Sequence, residues 1–149
     1  MALERAEACG KLLADILMRK EQGMRPVTLI GYSMGARLIY FCLKCLSESG
    51  DGGCGIVENA VLLGSPVSLK NEEWTCLGRV VSGRLINGFS SNDWILAVMY
   101  RYQGWAINVC GTTAIDNTAV ENVDLSNVIN GHMEYRCKMG PILRMLRIK

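Results

Sequence analysis

The chain has 149 residues, half of them apolar and 20% charged, with a formal net charge of +2 at pH 7. That balance excludes a disordered or collagen-like polypeptide, and without a long basic run or an aromatic-interleaved patch it leaves no case for nucleic-acid binding. One domain is expected, long enough to bury about 70% of its unfolded surface.

Leu3, Ala6, Cys9, Leu13, Ile16 and Leu17 recur at helical spacing, and Gly23 with Pro26 closes that helix. Residues 27–30 form a short β-branched apolar run that reads as a buried parallel strand, and 36–46 a helix-length apolar run closed by Ser47, Glu48, Ser49 and Gly50. A Gly-rich loop over 50–55 leads to a strand at 59–63, stopped by Gly64-Ser65-Pro66. Residues 74–81 read as a short helix and 84–89 as a strand broken by Ser90, Ser91 and Asn92; 94–99 reads as an apolar helix behind Asp93. An irregular stretch over 103–118 precedes a strand at 122–125 and a terminal helix from about Met133, broken at Pro141. The alternation predicts an α/β fold of about four mostly parallel strands with flanking helices and right-handed crossovers.

The segment Gly31-Tyr32-Ser33-Met34-Gly35 has the G-x-S-x-G spacing of a nucleophile elbow, with a strand before it and a helix after it. A turn this tight pushes the serine outward, and a Cβ at either flanking glycine, Gly31 or Gly35, is expected to collide with the neighbouring strand or helix. A serine hydroxyl needs a base, and the chain has one histidine, His132. It follows the last predicted strand, and Asp93 follows the preceding one, which reproduces the Ser, acid, His order of α/β-hydrolases. Glu72, Glu73, Asp116 and Asp124 stand as alternative acids. Glu72 and Glu73 also suit a helix start, Asp124 a solvated strand face, and Asp93 itself an N-cap. In this reading the Met34 backbone N–H is one oxyanion donor, the second normally coming from a loop after the third strand of such a sheet.

Four blocks in order, RPVTLIGYSMGARLIYFCL, IVENAVLLGSPV, GRLINGFSSNDWILAVMYR and ENVDLSNVINGHMEYR, span residues 25–136. Together they resemble the C-terminal hydrolase-like region of the transmembrane and coiled-coil domain-containing protein four family, a domain of unknown function with a lipase-like α/β-hydrolase fold. The resemblance implies that Ser33, Asp93 and His132 fall on the family's triad positions. It also implies membrane-spanning segments and further strands upstream, so membrane association is expected only through such segments.

A complete α/β-hydrolase sheet places the elbow strand in its middle, whereas here it comes first. The chain therefore reads as the C-terminal half of that fold, lacking the N-terminal strands: a truncated isoform, a partial gene product or a fragment. Its elbow strand becomes an apolar sheet edge, for which self-association is expected. No signal peptide opens the sequence, and its apolar runs are too short to span a bilayer.

The seven cysteines lack framework spacing and fit reduced thiols. Cys42 and Cys45 form a C-x-x-C, but among Leu38, Ile39, Phe41, Leu43 and Leu46 they read as small core residues. No metal or cofactor is called for. Tyr32 and the run Trp94, Ile95, Leu96, Val98, Met99, Tyr100, Tyr102 and Trp105 read first as core, with an acyl pocket or membrane contact as the second reading. Arg37, Arg79, Arg84 and Arg101 are expected to be solvated or ion-paired.

The expected function is hydrolysis of a carboxylic, lipid-like ester through Ser33, Asp93 and His132. Two alternatives from other classes are a catalytically inactive hydrolase-like interaction module and a C-x-x-C redox protein, the latter requiring an exposed thiol of low pKa.

Overall fold

Short aliphatic runs separated by helix-length segments build one sheet. The computed structural model describes residues 1–101 and 109–148, apart from the side chains of Tyr100 and Arg101. Its strands are β1 (Val27–Tyr32), β2 (Val57–Leu63), β3 (Leu85–Phe89) and β4 (Glu121–Asp124), in spatial order β1-β2-β3-β4 and parallel throughout. The helices are α1 (Ala2–Met18), α2 (Met34–Glu48), α3 (Asn71–Val80), α4 (Trp94–Arg101) and α5 (Glu134–Met145), with a single 3-10 turn at Gly50–Gly53. The expected α/β architecture of about four parallel strands and flanking helices is therefore present.

The period of two along β2 divides the core into two layers. Ala60 and Leu62 pack with Ala14, Leu17, Ile39, Leu43, Trp74 and Leu77 from α1, α2 and α3. Val61 and Leu63 point the other way, with Ile86, Leu125 and the α5 residues Tyr135 and Ile142. Central β2 is buried along most of its length, as strands covered on both faces are. The edge strands read differently: β4 is mostly exposed, and in β1 Ile30 is 38% exposed. Among the described residues β1 pairs only with β2.

Several elements depart from the sequence pattern. Helix α2 starts at Met34, directly behind Ser33, and α3 starts at Asn71, taking Glu72 and Glu73 into its first turn. Helix α5 runs through Pro141 instead of breaking there. An internal proline costs about 3 kcal/mol in a helix, and the burial of Ile142 and Leu146 just beyond it opposes that cost. Arg37 is 5% exposed, not solvated. Its guanidinium donates to the Pro66 carbonyl at 2.9 Å and the Leu3 carbonyl at 3.4 Å, and lies 4.9 Å from the Phe41 ring centre. The residue thus ties the start of α1 and the loop after β2 to α2. Only part of α4 is core: Leu96 is buried, whereas Trp94, Val98 and Met99 are exposed. Tyr102, Trp105 and the side chains of Tyr100 and Arg101 lie outside the described residues.

Arg84, at the start of β3, is ion-paired as expected. It donates Nε and Nη2 to the Glu121 carboxylate of β4 at 2.9 and 2.7 Å, a forked geometry suited to a planar guanidinium. The Arg84 hydrogen bond holds the Glu121 carboxyl below its ordinary value of 4.5. A depressed acid contributes stability above its unfolded value and loses it as pH falls through the folded one. Urea midpoints of the wild-type chain and Glu121→Gln are expected to differ modestly at pH 7 and to converge below pH 4.5; a gap that stays constant into acid would contradict the assignment.

Candidate active site

Three strands end on one edge of the sheet, and each is extended by one backbone hydrogen bond past its last residue. Ser33 N–H donates to Leu63 O at 2.9 Å, Gly64 N–H to Gly88 O at 2.9 Å, and Leu125 N–H to Phe89 O at 2.8 Å. These bonds extend β1, β2 and β4 across the sheet order β1-β2-β3-β4, so the loops beyond β1, β3 and β4 open on the same carboxyl edge, where open parallel sheets bind ligands.

Ser33 has φ 53° and ψ −123°, a strained conformation for a residue with a side chain. The turn is held from both sides, by the bond to Leu63 and by the Arg37 N–H donating to the Ser33 carbonyl at 3.1 Å. The expectation for the flanking glycines holds for one of them. A Cβ on Gly31 would stand 2.7 Å from the Gly35 carbonyl carbon and 2.8 Å from Ile39 Cδ1, whereas a Cβ on Gly35 would meet nothing within 4 Å. Gly31 presses on the backbone of Gly35, whose own Cβ direction is open.

The Ser33 hydroxyl lies 2.7 Å from Nε2 of His132, and Nδ1 of His132 lies 2.6 Å from Oδ2 of Asp93. An ionised carboxylate only accepts, so Nδ1 carries the proton given to Asp93 and Nε2 is left to accept from the serine hydroxyl. The His132 side chain is 12% exposed and that of Asp93 fully buried. Asp93 also caps α4, its Oδ1 accepting the Leu96 N–H at 3.1 Å. The N-cap and the histidine contact, alternatives at the sequence level, use opposite oxygens of one carboxylate.

The loops carrying Asp93 and His132 are laced together. Ser90 Oγ donates to the Ile129 carbonyl at 2.9 Å, Asn92 Nδ2 to the Ser126 carbonyl at 2.8 Å, and the Ser91 N–H to Ser126 Oγ at 3.0 Å. Asp124 accepts the Ser126 N–H at 2.9 Å and so shapes this loop. The other candidate acids are engaged elsewhere or exposed. Glu73 bonds the Tyr40 hydroxyl and lies 3.4 Å from Lys44 Nζ; burial pushes its carboxyl up, but these two partners hold it below its ordinary range. Glu72 and Asp116 are exposed.

An open groove of about 540 Å³ lies over Ser33, walled by Ile30, Tyr32, Met34, His132 and Met133. The Met34 N–H belongs to the first turn of α2, where helical N–H groups have no acceptor within the helix. Burial pushes the Cys42 thiol up to about 12 and raises the half-buried Cys45 as well, opposite to what a redox thiol needs. Sequence reading passed over Tyr135, whose ring stands beside His132. Its spacing of three from the lone histidine at a helix start was the available signal.

Fold and site together define an α/β protein with a Ser-His-Asp hydrogen-bonded line at the carboxyl edge of a parallel sheet. The chain belongs to the family described as "Protein of unknown function (DUF726)", which matches residues 1–149. It is 44% identical over 148 residues to "Transmembrane and coiled-coil domain-containing protein STS1" of Oryza sativa subsp. japonica, covering 99% of this chain and 22% of that protein. It is 38% identical to "Uncharacterized membrane protein F35D11.3" of Caenorhabditis elegans, covering 100% of this chain and 24% of the relative. It is 38% identical to "Probable lipase MIL1" of Saccharomyces cerevisiae, covering 99% of this chain and 14% of that protein. The chain thus spans less than a quarter of each of these relatives, and no solved structure matches it significantly. No described helix is long and apolar enough to cross a membrane.

The unequal glycines give a direct test of the turn. Gly31→Ala is expected to lower thermal stability markedly, because its methyl meets backbone atoms that have nowhere to move. Gly35→Ala, inside α2, is expected to be neutral or to stabilise by up to about 1 kcal/mol. Equal losses in the two melting curves would contradict this asymmetry.

Proposed function

We propose that this chain is a serine hydrolase of the α/β-hydrolase type acting on carboxylic, lipid-like esters, with the turn from Gly31 to Gly35 as its nucleophile elbow. The observation that carries the reading is the line Ser33 Oγ, His132 Nε2, His132 Nδ1, Asp93 Oδ2, with links of 2.7 and 2.6 Å. In this reading His132 takes the hydroxyl proton as Ser33 attacks the ester carbonyl, and Asp93 holds the imidazole tautomer and offsets its positive charge. The carbonyl oxygen becomes an oxyanion that accepts from the Met34 N–H. His132 then hands its proton to the departing alcohol, leaving an acyl group on Ser33. Water, deprotonated by the same imidazole, releases the acid and restores the hydroxyl.

One oxyanion donor is typically worth a hundredfold to a thousandfold in rate, roughly. Homologous sheets draw a second from the loop after their third strand, and none of the loops described here is given that part. The apolar walls of the groove suit an acyl chain, and the name of the yeast relative points the same way. Within its family we place the chain beside the transmembrane and coiled-coil domain-containing protein four group, a placement supported by the rice relative's name. Membrane attachment, in a protein of the relatives' length, would come through segments outside residues 1–149.

A fluorophosphonate probe and nitrophenyl ester turnover test the reading. Wild type should label at Ser33 and lose labelling on heat denaturation. Ser33→Ala and His132→Ala should each bring turnover to background, the double variant no lower, since such groups act as a unit. Asp93→Asn should lower the rate by roughly ten-thousandfold with the fold intact. A folded protein of full family length that neither labels nor turns over would make the site a non-catalytic interaction module.

A further inference from the structure

We infer that Tyr135 is a positioning residue for His132, its ring forming the wall that keeps the imidazole on the line between Ser33 and Asp93. The catalytic consequence rests on the serine-hydrolase reading; the geometric claim does not.

Two hydrogen bonds hold the nitrogens of His132, but bonds to ring nitrogens act along the ring plane, and neither stops the ring from tilting about the axis through its two partners. His132 also sits in a turn beside Met133, which is 75% exposed, so the backbone on that side supplies little packing. Among the described residues, that restraint comes from the first turn of α5. Tyr135, three residues on, places its ring centre 6.1 Å from that of His132 with the planes at 72°, the edge-to-face arrangement aromatic pairs favour.

A wall has to be fixed itself. Tyr135 is fully buried and belongs to the core layer of Val61, Leu63, Ile86 and Leu125. Its ring stacks on Tyr32 with centres 6.5 Å apart and planes 20° apart. It also lies against the backbone of Gly64, which has φ +52° and where a Cβ would come within 2.8 Å of Tyr135 Cε2. One ring therefore touches the residue before Ser33, the turn after β2 and His132 itself.

The hydroxyl is separable from this role. Tyr135 Oη is buried without a hydrogen-bond partner among the described residues. Burial, and then the charge of Asp93, push the phenol's ionisation well up, so it stays neutral beside the carboxylate. The wall needs the ring alone, which makes Tyr135→Phe the conservative variant and Tyr135→Leu or Tyr135→Met the disruptive ones.

Because His132 is the only histidine, its ring N–H proton can be read by NMR without ambiguity. Wild type and Tyr135→Phe should both show a low-field, slowly exchanging Nδ1–H resonance, and Tyr135→Leu, folded by circular dichroism, should lose it to exchange with water. Tyr135→Met, nearer the original volume, serves the same purpose if the leucine variant fails to fold. In ester hydrolysis the disruptive variants should lose roughly 10- to 100-fold in kcat, as small misplacements do, with KM within about twofold and kcat of Tyr135→Phe within a few-fold of wild type. A folded Tyr135→Leu or Tyr135→Met that keeps the resonance, or failure of both to fold while Tyr135→Phe folds, would make Tyr135 a core residue only and overturn the proposal. So would a wild-type chain without the resonance. A wild-type protein of full family length that shows the resonance but takes no fluorophosphonate would overturn the hydrolase reading and leave the wall standing.

Discussion

A hydrogen-bonded line of three side chains from three loops can form only if the strands feeding those loops end together. The parallel register of β1 to β4 is therefore the constraint on which the rest depends. Paired residues run Tyr32 with Leu63, Leu63 with Gly88, and Phe89 with Asp124, so the strands finish nearly flush. A slip of one residue would invert the faces of β2 and point Val61 and Leu63 at the wrong helices. The two buried layers, one under α1 to α3 and one under α5, thus specify the site indirectly, by making any other register costly.

Electrostatics then fixes what the sheet brings close. A buried carboxylate is tolerated only when its oxygens find donors. Asp93 has the Leu96 N–H and the favourable end of the α4 dipole on one oxygen and the His132 ring on the other. The laced serine and asparagine contacts between the loops after β3 and β4, one buried and two exposed, hold the two loops that carry that pairing together. Removing either loop's partner would leave the charge buried without full compensation, so Asp93, His132 and their loops stand or fall together.

Much of this was legible in the sequence because glycines, prolines and β-branched runs act locally. The strand before Ser33, the helix behind it and the order of Asp93 and His132 depend on turn chemistry and hydrophobic period, both short-range signals. What escaped depends on tertiary packing. Arg37 read as solvated or ion-paired, and nothing nearby reveals that it will be buried with the Pro66 carbonyl over it. Pro141 read as a break because the burial of Ile142 that opposes it is non-local. Gly35 read as sterically required because the motif treats its two glycines alike, whereas the contact falls on Gly31. Tyr135 was passed over because a tyrosine at a helix start carries no chemistry until its neighbour is known.

The most direct measurement of the central claim is the crystal structure of the chain after reaction with a fluorophosphonate. The account predicts phosphorus bonded to Ser33 Oγ, a phosphonyl oxygen within hydrogen-bond reach of the Met34 N–H, and His132 still joined to Asp93 beside Tyr135. An adduct on another residue, or an unmodified Ser33 with His132 turned away from Asp93, would contradict it.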